Sequence, residues 1–258
     1  MRRARRPLLA LLALLCAALA VMQWSTPHAA RAQAAAPAAA TGAGGLVAQG
    51  RGLFVDGCAS CHGLSAEGVP GRGPSLQSVG AEAADFYLST GRMPLNNPHD
   101  APVRVKSAYT KPQRAAITAY VASLGGPPIP TVDPAHGSLS VGQKDFTTHC
   151  AGCHQVLARG GIATPAAVAP SLQQASATQV AEAVRIGPYL MPKFGERQID
   201  QHSLDSIARY VLWTRHPDDA GGWGIGNIGP IPEGMVAWFL ALAALVIVAR
   251  LIGERTPT

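Results

Sequence analysis

The feature that most constrains this chain is a short motif that occurs twice. Cys-Ala-Ser-Cys-His at residues 58–62 returns 92 residues later as Cys-Ala-Gly-Cys-His at residues 150–154. Gly and Phe precede both motifs at equal distances, and a Pro-Ser-Leu and a Met-Pro segment follow both. Such a match indicates two copies of one structural unit. Apolar residues at helical spacing predict that each copy ends in a helix, over residues 112–124 and 199–213.

The repeat sets the expected domain organisation. We expect one domain at residues 46–125 and a second at 139–217, with a Pro- and Gly-rich linker over 126–138 between them. An Ala-, Gly- and Pro-rich linker over residues 35–45 precedes the first domain, and a Gly-rich neck over 218–233 follows the second.

The N-terminus carries most of the positive charge. Residues 1–34 combine an arginine-rich head, an apolar run and a small-x-small site, which is typical of an export signal, either cleaved or retained as a signal anchor. They hold five arginines and no acidic residue, so the net charge of +6 belongs largely to this segment. The remainder gives no reason to expect a nucleic-acid partner, and we expect it outside the cytoplasm.

The C-terminus predicts a membrane anchor. Residues 234–253 are apolar and long enough to cross a membrane as a helix in contact with lipid. Arg250 and Arg255 at the far end predict, by the positive-inside bias, that the tail over 254–258 is cytoplasmic. The anchor also fits the composition, in which 14% of residues are charged against about 25% in ordinary soluble domains.

Cys-x-x-Cys-His is the attachment signature of a c-type haem. Two thiols can form thioether bonds with the haem vinyl groups, while the adjacent imidazole reaches the iron from the same face. We therefore predict two covalently bound haem c groups, with attachment at four cysteines and one axial histidine per haem: Cys58, Cys61, Cys150, Cys153, His62 and His154.

Three other uses of paired cysteines remain as alternatives. A structural zinc site uses Cys-x-x-Cys pairs but does not require His directly after both. A thioredoxin-like redox pair belongs in a βαβ context, whereas this repeat is predicted to be helical. Paired disulfides are possible in an exported chain. Two copies in matched contexts favour haem over all three.

The sixth ligand of each iron is predicted by elimination. Three of the five methionines lie in the signal or in the membrane run, which leaves Met93 and Met191, one per repeat and each followed by Pro. A thioether ligand raises the reduction potential of a haem. His/His ligation through His99 or His202 is the alternative, but these two residues do not follow the repeat and are interpreted as surface residues.

Each axial His also needs a partner for its second ring nitrogen. The carbonyl groups of Pro74 and Pro170 are placed to provide one, although an ordinary loop proline is an equal interpretation of either residue. The second copy has four more residues between the haem motif and this proline, including Arg159-Gly160-Gly161. That insertion is either a docking surface or a tolerated loop.

Each repeat resembles a class I cytochrome c in its Gly- and Phe-bearing first helix, its Cys-x-x-Cys-His motif, its Gly-Pro-x-Leu type segment, its Met-Pro loop and its last helix with an aromatic residue. The resemblance implies an all-α fold of two tandem class I cytochrome c domains plus a C-terminal transmembrane helix. It also implies that the carbonyls of Pro74 and Pro170 bond the haem histidines. The second copy departs in having Ala169 where the first has Gly73.

The whole chain resembles the dihaem cytochrome c subunit of the actinobacterial cytochrome bc complex, a menaquinol:cytochrome c reductase. The resemblance implies cytochrome b, a Rieske iron–sulfur subunit and a haem-copper oxidase as partners, with single electrons relayed from the first two to the third. The chain would be an electron carrier with no catalytic residue of its own, and an enzyme only as a subunit of the translocase. The alternatives are a stand-alone anchored shuttle, an oxidase-bound electron-entry module, and a dihaem enzyme such as a peroxidase.

Overall fold

The computed structural model describes residues 42–165, 167–217 and 230–253. The predicted export signal, most of the first linker, the neck up to residue 229 and the C-terminal tail lie outside the described residues. The described part is mostly helical, which confirms the predicted fold class.

The first domain is held together by its two end helices. Phe54 on the first helix and Tyr120 on the last pack with ring centroids 5.1 Å apart, in a core that buries both side chains. The domain contains four helices: α1 (Ala43–Gly57), α2 (Ala59–His62), α3 (Gly80–Ser89) and α4 (Lys111–Ser123).

The second domain repeats this arrangement. Phe146 and Tyr210 are the counterparts of the first pair, with ring centroids 5.3 Å apart. The domain contains four helices and two short strands: α5 (Leu139–His149), α6 (Ala151–His154), β1 (Gly161–Thr164), β2 (Ala167–Ala169), α7 (Ala177–Ile186) and α8 (Gln201–Trp213).

The end helices approach so closely that a glycine is needed at each crossing. A Cβ atom at Gly50 of α1 would overlap the carbonyl oxygen of Ala116 in α4. A Cβ atom at Gly142 of α5 would likewise overlap the carbonyl oxygen of Ser206 in α8. The glycine that precedes each haem motif in the sequence is thus explained by packing of one backbone against another.

Polar side chains at their N-termini explain where several helices begin. The backbone N–H of Thr110 donates to Gln113 Oε1 at 2.9 Å before α4. The backbone N–H of Ser176 donates to Gln179 Oε1 at 3.2 Å before α7, while Ser176 Oγ accepts from the N–H of Gln179 at 3.1 Å. Asp200 Oδ1 accepts from the backbone N–H of Ser203 at 2.8 Å before α8, so this helix begins after Asp200 rather than at the predicted position 199.

The insertion of the second domain forms an antiparallel hairpin, which the sequence did not predict. Ile162 of β1 pairs with Val168 of β2, and both side chains are exposed, at 78% and 76%. The hairpin ends at Ala169, directly before Pro170. The second domain therefore departs from an all-helical structure at this one place among the described residues.

The two domains touch through corresponding helices. Helix α3 of the first domain packs against α7 of the second. Gln179 Nε2 donates to Ser89 Oγ at 3.0 Å, and Arg104 Nη1 donates to Gln179 Oε1 at 3.2 Å. A second guanidinium N–H of Arg104 donates to the carbonyl oxygen of Gln174 at 3.0 Å. The contact is polar at its edge.

The C-terminal apolar helix, α9 (Pro230–Gly253), is long enough to cross a membrane. Within it, Glu233–Gly253 has a mean hydropathy of 2.5, and none of this segment is buried. The helix begins earlier than the predicted run at 234, because a proline is tolerated in the first turn of a helix, where its missing N–H has no intrahelical partner.

Candidate haem sites

Each Cys-x-x-Cys-His motif forms a single helical turn after the first helix of its domain. In the first motif, His62 N–H donates to the carbonyl oxygen of Cys58 at 2.9 Å, and Cys61 N–H donates to the same oxygen at 3.1 Å. In the second motif, His154 N–H bonds Cys150 O at the same 2.9 Å. Residues three and four apart on a helix share a face. Both thiols and the imidazole of a motif are therefore carried on one side of its turn.

The second ring nitrogen of each histidine has a backbone partner. His62 Nδ1 lies 2.8 Å from the carbonyl oxygen of Pro74, and His154 Nδ1 lies 3.0 Å from that of Pro170. A carbonyl oxygen only accepts hydrogen bonds, so Nδ1 carries the proton and Nε2 keeps its lone pair. This is the tautomer that binds a metal through Nε2, with the ring held by the second bond.

A tight turn after each motif returns the chain to that histidine. Ala66 and Ala158 have left-handed φ angles of 61° and 53°, and both are completely buried. Their carbonyl oxygens accept from Leu76 N–H and Leu172 N–H, both at 2.8 Å. This turn was not predicted, although an Ala-x-Gly sequence lies at the same distance after both motifs.

A glutamine fixes the loop in each domain. Gln77 Nε2 donates to the carbonyl oxygen of Ser65 at 2.6 Å, and Gln173 Nε2 donates to that of Leu157 at 2.9 Å. The role of these two glutamines was not predicted either, although the repeated Pro-Ser-Leu segment continues as Pro-Ser-Leu-Gln in both copies. Each glutamine lies three residues after the proline whose carbonyl meets the histidine, so it stabilises that carbonyl's position.

The four cysteines of the described part are free thiols. Burial raises the pKa of Cys58, and a hydrogen bond with Tyr109 partly opposes this. Burial raises the pKa of Cys150 to about 12, with smaller contributions from Asp145 and Cys153. The disulfides that the sequence left open do not form among these residues.

Burial lowers the pKa of His154, although its bond with the Pro170 carbonyl acts in the opposite direction. At neutral pH this imidazole is therefore uncharged, which is the protonation state that a metal ligand requires.

Met93 and Met191 are each partly buried against the core of their own domain. Backbone bonds hold both: Met93 N–H donates to the carbonyl oxygen of Tyr87 at 3.2 Å, and Met191 N–H donates to that of Pro188 at 3.0 Å. The rival ligands His99 and His202 are exposed, which matches their interpretation as surface residues.

The residues present fit haem c. Gly73 leaves room for the ring of His62, because a Cβ atom there would lie 3.2 Å from His62 Cε1 and 2.7 Å from the carbonyl oxygen of Cys61. Two buried donors of the second domain, Trp213 Nε1 and Arg215 Nε, have no partner among the described residues. In these same residues no group of three or more His, Cys, Asp or Glu side chains could hold a metal ion, so the zinc alternative lacks a ligand set.

Family comparisons identify both domains. Residues 47–125 match the family model described as Cytochrome c. Residues 137–211 match the model described as Cytochrome C oxidase, cbb3-type, subunit III. The predicted pair of cytochrome c domains is confirmed, and such domains imply haem c at the Cys-x-x-Cys pairs 58/61 and 150/153.

Curated relatives extend the match beyond single domains. The chain is 34% identical over 229 residues to the cytochrome bc1 complex cytochrome c subunit of Corynebacterium efficiens, covering 82% of this chain and 77% of the relative. The Mycobacterium tuberculosis subunit of the same name is 36% identical over 221 residues, covering 82% and 79%. A cbb3-type cytochrome c oxidase subunit CcoP of Azospirillum is 28% identical over 189 residues, covering 65% and 62%. The chain belongs to the family of cytochrome c subunits of the membrane-bound cytochrome bc1 complex, and it takes part in electron transfer in a respiratory chain.

Proposed function

We propose that this chain carries two covalently attached haem c groups and relays single electrons from a Rieske and cytochrome b quinol-oxidising core to a haem-copper oxidase. The observation that carries the proposal is the geometry shared by both domains. Each motif turn holds two free thiols and a histidine whose Nδ1 is bound to a carbonyl. Family membership supports the quinol-oxidising partners.

Ten residues of the chain have proposed roles at the haems. Thioether bonds form at the four motif cysteines: Cys58, Cys61, Cys150 and Cys153. Haem c, when bound, supplies one-electron oxidation and reduction of its iron. His62 and His154 would each hold a haem iron through Nε2, and Met93 and Met191 would each supply its second protein ligand. The carbonyls of Pro74 and Pro170 fix the two imidazoles.

The protein's part is to orient the ligands and exclude water. The motif turn holds each imidazole rigid, and the Met-Pro loop of each domain offers a soft thioether that favours the reduced state. No side chain has to gain or lose a proton for one electron to pass. We therefore propose that the chain contributes no catalytic residue and that its chemistry is electron transfer alone.

The membrane helix sets the proposed location. Glu233–Gly253 anchors the chain, and Arg250 lies in its last turn. By the positive-inside bias this end faces the cytoplasm, so both haem domains lie on the extracytoplasmic face. Residues 1–34 would direct the chain across the membrane, either as a cleaved export signal or as a retained signal anchor.

One observation favours a second candidate function. The second domain matches the cbb3-type oxidase subunit III model, and the Azospirillum relative is an oxidase subunit. An anchored module that delivers electrons into an oxidase, without a quinol-oxidising core, would also use two cytochrome c domains and one helix. The two functions differ in which proteins bind the chain.

Affinity purification of the tagged chain in mild detergent tests the proposal. We expect cytochrome b and a Rieske protein to co-purify, with oxidase subunits present as well. Recovery of oxidase subunits without cytochrome b or a Rieske protein would replace the proposed function by the electron-entry module.

A further inference from the structure

The contact between the two domains contains a buried acid that the electron-transfer function does not explain. Glu182 lies on α7, in the helix pair α3 and α7 that joins the domains. Its side chain is completely buried, with a relative exposure of 0%. Neither of its carboxyl oxygens meets a hydrogen-bond donor among the described residues. A charged carboxylate without a donor is strongly disfavoured in such a place.

The polar neighbour of Glu182 is another acid, Asp85 on α3 of the first domain. Ionised carboxylates only accept hydrogen bonds, so two of them can bond each other only when one proton lies between them. A pair of carboxyl groups at a contact therefore attracts when one proton is present and repels when both groups are ionised.

The surrounding charges favour the protonated state. Burial, with smaller contributions from the neighbouring acids Asp85 and Glu82, raises the pKa of Glu182 to about 9. Glu82, also on α3, has its own pKa raised by burial, while Lys193 and Arg185 of the second domain act to lower it. The cations therefore act on Glu82 and leave Glu182 paired with an acid.

Two arginines of the first domain also lie near α3. Arg104 is committed to Gln179 and to the carbonyl oxygen of Gln174. Arg92 lies with its guanidinium carbon 4.9 Å from the centre of the Phe86 ring. Burial lowers the pKa of both arginines, and Arg104 adds to this for Arg92. Neither arginine donates a hydrogen bond to Glu182, whose carboxyl oxygens have no partner among the described residues.

We propose that Glu182 in its neutral form is the positioning residue that fixes the two haem domains against each other, through one proton shared with Asp85. The inference rests on the proposed function in one respect: the fixed contact matters because electrons pass between the haems of the two domains. It assigns no role to Glu182 in binding haem.

The linkage gives the direction of the pH effect. In the joined state Glu182 keeps its proton up to about pH 9, whereas in separated domains it would ionise near its ordinary value of 4.5. The contact is thus at full strength below the lower value and weakens as pH rises towards the higher one. One proton is released on separation in this range, so the separated fraction rises about tenfold per pH unit. Acidification of the extracytoplasmic face tightens the contact.

Thiol labelling tests this in the full-length, haem-loaded protein in detergent. Ala83 is a buried residue of α3 that lies outside the hydrophobic core of the first domain, and Ala83→Cys supplies a probe there. Its labelling rate, divided by that of a short peptide thiol at the same pH, reports opening. Between pH 5.5 and 8.5 we expect a rise of about tenfold per pH unit.

Three further substitutions in the Ala83→Cys protein test whether Glu182 and Asp85 cause the pH dependence of labelling. Glu182→Gln and Asp85→Asn each put a permanent amide donor between the two side chains, so both should lose most of the pH slope while staying joined. Glu196→Gln changes an exposed acid of the same domain and should keep the original slope. The inference is overturned if the parent protein shows no slope, or if Glu182→Gln and Asp85→Asn keep it.

Haem content and reduction are measured on the same samples. Two covalent haems that both reduce, together with a flat labelling profile, would reject the role of Glu182 and leave the proposed function standing. Fewer than two haems would instead count against the proposed function, whatever the labelling profile.

Discussion

Tyr210 donates a hydrogen bond from its hydroxyl group to the carbonyl oxygen of Val156, over 2.9 Å. This bond ties the last helix of the second domain to the loop directly after the haem motif. Tyr120 occupies the same position in the repeat and makes the same ring contact with a phenylalanine. Its hydroxyl group makes no corresponding bond to the haem loop among the described residues. The two domains thus share a core and differ in one bond that reaches the haem loop.

The paired tyrosines give the first prediction. Tyr210→Phe should lower the free energy of unfolding of the second domain by about 0.5–1.5 kcal/mol, the net contribution of a typical hydrogen bond. Tyr120→Phe is the matched control and should change the stability of the first domain by less than this. Denaturant unfolding of the haem-loaded protein, followed separately in each domain by hydrogen exchange, measures both. Equal losses in the two variants would contradict the role of the bond.

The second prediction concerns the helix crossings. Gly50→Ala places a methyl group on the carbonyl oxygen of Ala116. The overlap is with backbone rather than with a side chain that could rotate away, so we expect the free energy of unfolding to fall by about 3 kcal/mol or more, the upper end for an overpacked site. Gly52→Ala, two residues away in the same helix with open space around it, should gain about 0.5–1 kcal/mol. Thermal unfolding should show a lower melting temperature for Gly50→Ala and a higher one for Gly52→Ala. A shift in the same direction for both variants would contradict the prediction.

The third prediction concerns the sixth ligands. Met93→His and Met191→His should each lower the reduction potential of one haem and change its absorption spectrum, because imidazole favours ferric iron more than a thioether does. His99→Ala and His202→Ala remove the exposed alternatives and should leave spectrum and potential unchanged. Redox titration with optical detection reads both haems. Unchanged spectra in the Met variants would overturn the ligand assignment, and a changed spectrum in a His variant would identify the ligand instead.

The fourth prediction concerns dependence on the cofactor. The hydrophobic cluster at the centre of the first domain contains six buried residues, Phe54, Ala66, Leu88, Ile117, Tyr120 and Val121, and the three other buried apolar residues of the domain are Ala83, Phe86 and Ala116. A core of this size is marginal for a domain of this length, so haem is needed to complete it. Cys58→Ala with Cys61→Ala should leave the first domain unfolded and rapidly exchanging its amide hydrogens. A protected first domain without haem would contradict this.

Periodicity and motif spacing predicted the parts of the fold that local sequence controls. The predicted last helix of the first domain, 112–124, is observed at Lys111–Ser123, because its apolar positions recur at helical spacing and Pro112 fits the first turn. The predicted placement of the Pro74 and Pro170 carbonyls agrees with the hydrogen bonds observed at both histidines. Their role at a haem stays a prediction.

Contacts between distant segments could not be predicted in this way. Glu182 is one acid in an amphipathic helix, and nothing in the sequence shows that α3 of the other domain covers it. The hairpin at Gly161–Thr164 and Ala167–Ala169 escaped prediction for a related reason. Its strands are very short and surround Pro165, and small residues interrupted by a proline are typical of a loop. Both features depend on partners that only the folded chain brings together.

We propose that electrons from quinol pass through two c-type haems carried by this one chain. Purification of the complex by a tag on this chain allows the covalent haems per chain to be counted and their reduction to be followed after addition of a reduced menaquinone analogue. We expect two haems per chain, both reduced by the quinol, and neither binding carbon monoxide, since Met93 and Met191 close the sixth positions. A single haem, a haem that quinol does not reduce, or one that binds carbon monoxide would contradict it.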